Sequence, residues 1–225
     1  MTSINWPTPK ELTLLKRAAA ELRFLLTRGY DKNPAINFIG NHYQLNKLYR
    51  HLLFRAIFPR HICQLRRQKK VIVAGIEGKV LLIDGYNCFI TLESAIKGKP
   101  VIRCDDGFVR DVSGVFRAFT PSHFTYNAWT LMQRVFTYHR PNKIIFFLDA
   151  PYSNSKRFCR QIREWMYSSD IIGDCILTKR SEKEFGHLAG IKVSGDSVII
   201  DNSSQVFDLS GHIISRMLRI KPIRL

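Results

Sequence analysis

Three segments of this chain read as β-strands and stop at an aspartate: KVLLID at Asp84, NKIIFFLD at Asp149 and GIKVSGD at Asp196. The NKIIFFLD run is almost unbroken in its apolarity, as in a strand buried on both faces of a sheet. Segments with helical spacing separate these runs. FTYNAWTLMQRVFTYH (124–139) places Ala128, Leu131, Met132, Val135 and Phe136 on one side, and SKRFCRQIREWMY follows the second run. VIVAGI at 71–76 and CILTK read as further strands, and SVIIDNS runs on from Asp196. KPVIRCDDGFVRD has the form of a strand or hairpin, and SEKEFGHL of one or two helical turns. Alternating strands and helices specify an α/β domain with a mainly parallel central sheet flanked by helices.

The first part of the chain has a different period. Leu12, Leu15, Ala18, Ala19, Leu22, Leu25 and Leu26 recur at helical spacing behind Pro9, and Gly29 closes the run. PAINFIGN predicts a short helix broken at Gly40-Asn41, and YQLNKLYRHLLFRAIF a third helix. These predict a small all-α bundle over 1–63. QLRRQKK at 64–70 reads as a basic linker, and the α/β domain as 71–225.

Charge divides along the same line. Residues 1–70 hold 14 Lys/Arg against 3 Asp/Glu, and residues 71–225 hold 21 against 15. The net charge of +17 favours a polyanionic partner: RNA, DNA or an anionic membrane surface. No apolar run reaches the ~18 residues of a membrane span, and the first residues lack a charged and apolar leader, so a cytoplasmic protein with no membrane partner is expected. The five cysteines are scattered and form no CxxC pair, so they are expected to be buried small residues.

Active sites of open α/β sheets gather at the carboxyl ends of the strands. Asp84, Asp149 and Asp196 would meet there, with Glu182 and Glu184 after the CILTKR segment. Clustered carboxylates raise one another's pKa unless a cation neutralises them, and oxygen donors suit Mg2+ or Mn2+. Such ions activate water in phosphodiester cleavage.

LLIDGYN resembles the first strand motif of the PIN/NYN-like nuclease superfamily, and GIKVSGDSVIID its late Ser/Thr-x-Asp-Ser motif. Over nearly its whole length the chain is similar to an uncharacterised archaeal family with an N-terminal helical domain and a C-terminal PIN-like domain. The matching segments are LLTRGYDKNPAINFIGNHYQLNKLYRHLLFRAI, DDGFVRDVSG and LDAPYSNS. The resemblance implies a metal-dependent endoribonuclease, or a non-catalytic RNA-binding or ribosome-associated protein on the same scaffold. It implies catalytic roles for Asp84, Asp149, Asp196 and Asp111, and Mg2+ or Mn2+ held by Asp84, Asp149, Asp196 and Glu182. Asn87, Arg110, Ser153, Ser155, Lys156 and Arg157 would contact nucleic acid near the site. Arg50, Arg55, Arg66, Arg67, Lys69 and Lys70 would hold the backbone of a ribosomal or otherwise structured RNA, and a dimer is compatible with all of this.

Overall fold

The computed structural model describes residues 7–112, 119–150, 154–179 and 188–225. Four helices occupy the first part: α1 (Pro9–Thr27), α2 (Lys32–His42), α3 (Lys47–Ala56) and α4 (Arg60–Gln68). Thr8 and Glu11 form a capping box that starts α1. α2 runs through Gly40-Asn41 instead of breaking there. Its Gly40 is a close-approach position: a Cβ would lie 2.5 Å from Arg50 Nη1. The Arg50 guanidinium lies across the helix and donates to Leu45 O, Asn37 O and Asn41 Oδ1.

The 64–70 segment is not a linker. Most of it belongs to α4, and Lys70 opens β1 (Lys70–Val71). Its charges do not all point outward. Arg66 faces inward, with only 4% of its surface exposed. Of the apolar run 71–76 only Val71 is in a strand, because β1 pairs with a β8 (Val206–Phe207) only two residues long and begins at Lys70. The chain then turns through a 3-10 segment, Val73–Ile76, that sends Ile76 into the core.

The central sheet is built from β1, β2 (Val80–Asp84), β5 (Lys143–Asp149), β6 (Gly173–Thr178), β7 (Ile191–Val193) and β8. Its order is β1-β8-β7-β2-β5-β6, and every pairing is parallel. Helices α5 (Gly85–Ile96), α6 (His123–His139) and α7 (Ser155–Ser168) follow β2, the hairpin and β5. One core cluster joins Ile83, Phe89, Trp129, Phe146, Phe158 and Ile162, with Trp165 packed at its edge. On the other face Leu82 and Phe147 meet Ile199 of the short helix α8 (Ser197–Asp201). SVIID is therefore helical. The Asp196 carboxylate accepts from Val198 N and Ile199 N and starts the turn. A last short helix, α9 (Leu209–His212), runs into a π-turn at Ile213–Met217. The SEKEFGHL turn lies largely outside the described residues.

β3 (Val101–Arg103) and β4 (Val109–Asp111) form the expected hairpin, antiparallel and separate from the main sheet. Its Ile102, Cys104 and Val112 belong to the same core cluster as Leu15, Leu22 and Leu53 of the bundle. Bundle and α/β unit thus share buried surface. The five cysteines are all buried and free.

Candidate functional site at the carboxyl edge of the sheet

From β2 the chain builds outward through β5 to β6, then returns to β7 on the opposite side of β2. The order reverses between β2 and β7, and a crevice opens at the carboxyl ends of strands at such a point. Asp84 is the last residue of β2. Ser194, Gly195 and Asp196 follow β7 immediately, and Asp149 is the last residue of β5, the other neighbour of β2.

Asp84 is buried and caps α5. Ser194 Oγ donates to Asp84 Oδ2 at 2.8 Å, and Asn87 N donates to Oδ1 at 3.4 Å. Asp196 N in turn donates to Ser194 Oγ at 2.9 Å. One serine therefore links two of the three aspartates. Gly85 is required next to Asp84, since a Cβ there would lie 2.6 Å from Leu148 Cδ2 and 3.1 Å from Phe147 O. The Asp-Gly pair of the motif is a packing requirement as much as a turn.

The Asp84 carboxyl is pushed up to about 7. Burial is the main cause, and the charges of Asp196 and Asp149 add to it against the Ser194 and Asn87 hydrogen bonds. Among the described residues neither Asp84 nor Asp196 has a Lys, Arg or His ion-pair partner. A divalent cation would relieve this arrangement, and its all-oxygen donors suit Mg2+ or Mn2+. Among the described residues no three His, Cys, Asp or Glu side chains are grouped as a ready-made metal site.

The other expected site residues are placed differently. Asp111 lies on β4, where Arg55 Nη2 stands 3.6 Å away and Thr91 Oγ1 donates at 3.5 Å. Its charge is met by an arginine, so it makes a poor fourth ligand. Arg66 and Arg110 are buried around Asp106, itself fully buried. Arg66 also reaches Asp201, and Arg110 Nε donates to Gly195 O at 2.6 Å. Burial would raise the Asp106 pKa, but Arg110 and Arg66 hold it below the usual carboxylate value. Both arginines shape the site rather than offering a free guanidinium. Asn87 Oδ1 accepts from Gly195 N, bracing α5 against the loop after β7.

Lys69 caps the end of α8 through Ile200 O and Asp201 O, and Lys70 binds Gly107 O and Asp208. Arg67 donates to Asp105 O. Ser155 Oγ donates to Asp149 O and is bonded to Tyr86 OH, so it fixes the start of α7 to the end of β5. These cations and hydroxyls were expected on nucleic acid, and intramolecular partners engage them instead. Lys156 and Arg157 are exposed in the first turn of α7, beside the Asp149 edge. Glu182 and Ser153 lie outside the described residues. Ser194 and Asp106 are not among the site residues expected from the sequence. The Ser-x-Asp spacing signalled the first. Arg110, four residues after Asp106 across a Gly turn, signalled the second.

A family model described as Domain of unknown function (DUF5616) matches residues 73–212. The chain belongs to the DUF5616 family. A model described as Protein of unknown function (DUF434) matches residues 14–69. The chain is similar to Uncharacterized protein MJ0935 of Methanocaldococcus jannaschii, 32% identical over 202 residues, covering 89% of this chain and 96% of that protein. No solved structure matches significantly. The two family matches meet at β1, so the DUF5616 part carries Asp84, Asp149 and Asp196, and the DUF434 part supplies α1–α4.

Proposed function

We propose that this DUF5616 protein is a PIN-like, divalent-metal-dependent endoribonuclease. The observation that carries the reading is Asp84, a buried carboxylate at the strand-order reversal whose neighbours among the described residues add two negative charges and no ion-pairing cation. Asp84 and Asp196 would hold Mg2+ or Mn2+, with Asp149 on the adjoining strand. When bound, the ion supplies Lewis-acid chemistry: it neutralises phosphate charge and lowers the pKa of water. The chain's own residues prepare the place. Ser194 fixes one oxygen of Asp84, the Asn87 backbone N–H faces the other, and the Asn87 side chain holds the Gly195 turn so that Asp196 stays beside them. Exposed Lys156, Arg157 and Arg160 at the start of α7 offer charge to an RNA strand at the same edge.

The test is incubation of the purified chain with labelled single-stranded RNA and Mn2+. Wild type cleaves, and Asp84→Asn lowers the rate by about a hundredfold or more, the scale expected for losing a charge-stabilising or proton-handling group. If neither protein cleaves and both bind with a steep salt dependence, the chain is an RNA-binding protein on a PIN-like scaffold.

A further inference from the structure

A cleft of about 420 Å³ lies between the helical bundle and the loop that carries Asp196. Lys32, Phe54, Arg55 and Phe58 line one side, and Asp196, Ser197 and Val198 the other, with Arg66 and Arg110 in the wall. Its cations are crowded. Phe58 has Lys32 Nζ 3.7 Å from its ring centroid, Arg66 Cζ at 4.3 Å and Arg110 Cζ at 5.3 Å. Arg66 and Arg110 are answered by Asp106 and Asp201, and Arg55 by Asp111.

Lys32 has no hydrogen-bond or ion-pair partner among the described residues. The rings of Phe58 and Phe54 face it, and the charge of Asp106 acts on it from farther off. Lys32 also opens α2, where the helix dipole disfavours a cation and the one acid at the helix start is Asp31 at the N-cap. Burial, then Arg66 and Arg110, push its ammonium down to about 8. Arg55 adds a second unmet donor, because its Nε is buried without a hydrogen-bond partner. A lysine placed against the helix dipole, against burial and against two arginines is locally unfavourable. An anion in the cleft would offset these penalties with a direct charge attraction.

We propose that the cleft is a phosphate site for a nucleotide of the substrate strand, with Lys32 and Arg55 as its ligands and the half-exposed Phe54 as the surface on which the adjoining base stacks. Such stacking is tolerant of base identity. Asp196 shares this cleft and also ends the Ser194 link to Asp84, so a strand held here leads to the carboxylate edge. The inference deepens the nuclease reading and rests on it for the identity of the strand. It gives the DUF434 part a role in gripping substrate.

The experiment uses the full chain without divalent metal, so that cleavage plays no part. Thermal unfolding is followed with added inorganic phosphate, and binding with RNA octamers carrying a 5′-phosphate or a 5′-hydroxyl. Phosphate raises the unfolding temperature of wild type and of Lys32→Arg. Lys32→Gln, relieved of an unpaired cation, is at least as stable as wild type, shows no phosphate shift, and binds RNA about tenfold more weakly. Preference for the 5′-phosphorylated octamer assigns the site to a strand end, and equal affinity assigns it to an internal phosphodiester. Equal phosphate shifts and equal RNA affinities in wild type and Lys32→Gln overturn the proposal. If RNA is never cleaved but Lys32-dependent binding stands, the nuclease reading alone falls. If RNA is cleaved but Lys32→Gln binds as wild type does, the phosphate site alone falls.

Discussion

Ser194 shows how one hydroxyl sets the behaviour of an acid. Its hydrogen bond to Asp84 lowers that carboxyl's pKa, while burial, Asp196 and Asp149 raise it. Removing the hydroxyl leaves only the raising effects and the weak Asn87 contact. Ser194→Ala is therefore expected to shift the acidic limb of the pH–rate profile to higher pH. It should also lower activity about 10–100-fold, as loss of a group that orients a metal ligand does. A serine acting only in folding would change stability and leave the profile where it was. Asp84 also shows what the sequence made legible. LLIDGYN located it at a strand end, and the run of apolar residues before it explains the burial that raises its pKa.

At the level of elements, the hairpin β3–β4 is where the sequence was hardest to read. Its DDGFVRD segment holds acids that resemble catalytic candidates, yet three of them receive arginines from the bundle. Arg23 of α1 binds Asp105, Arg66 of α4 binds Asp106, and Arg55 of α3 pairs with Asp111. No period or motif marks an arginine as inward-facing when its partner lies 40 or more residues away. The long strands and helices were legible because apolar periodicity is local. The two-residue β1, the helix α4 and the helical turn after Asp196 were not, because a distant partner or a single cap decides each. Asp106 is the centre of the hairpin's docking. Asp106→Ala would leave Arg66 and Arg110 facing each other in a buried place, and such losses cost roughly 3–5 kcal/mol. Chemical denaturation at neutral pH should show this loss. The pKa direction agrees in sign. With its folded pKa depressed, Asp106 contributes stability above the unfolded value near 3.8, and that contribution is lost as pH falls through the lower folded value.

For the whole molecule, the uneven charge has two consequences. Part of the basic excess of the first 70 residues docks the bundle onto the acidic hairpin, so the asymmetry marks an internal interface. At the carboxyl edge and the cleft, exposed Lys156 and Arg157 lie near Asp149, and Lys32 lies opposite Asp196. No helix among the described residues is long and apolar enough to cross a membrane. The chain thus presents carboxylates and cations side by side, an arrangement suited to a metal ion and a phosphate together.

The central claim is that Asp84 is the heart of a divalent-cation site. Its pKa gives that claim a sign. Because the folded value of about 7 stands above the unfolded one of 3.8, Asp84 stabilises the fold at low pH and loses this contribution as pH rises through 7. The loss is on the order of a few kcal/mol. The deciding measurement is the unfolding free energy of wild type and Asp84→Asn at pH 5 and pH 8, with and without Mn2+. Without metal, Asp84→Asn should exceed wild type slightly at pH 5, where the loss has begun, and by more at pH 8, where it is complete. Mn2+ should then stabilise wild type at pH 8, by about 2.7 kcal/mol at a hundredfold excess over its Kd, and leave Asp84→Asn unchanged. Equal responses of both proteins to Mn2+, or no response in either, would contradict the account.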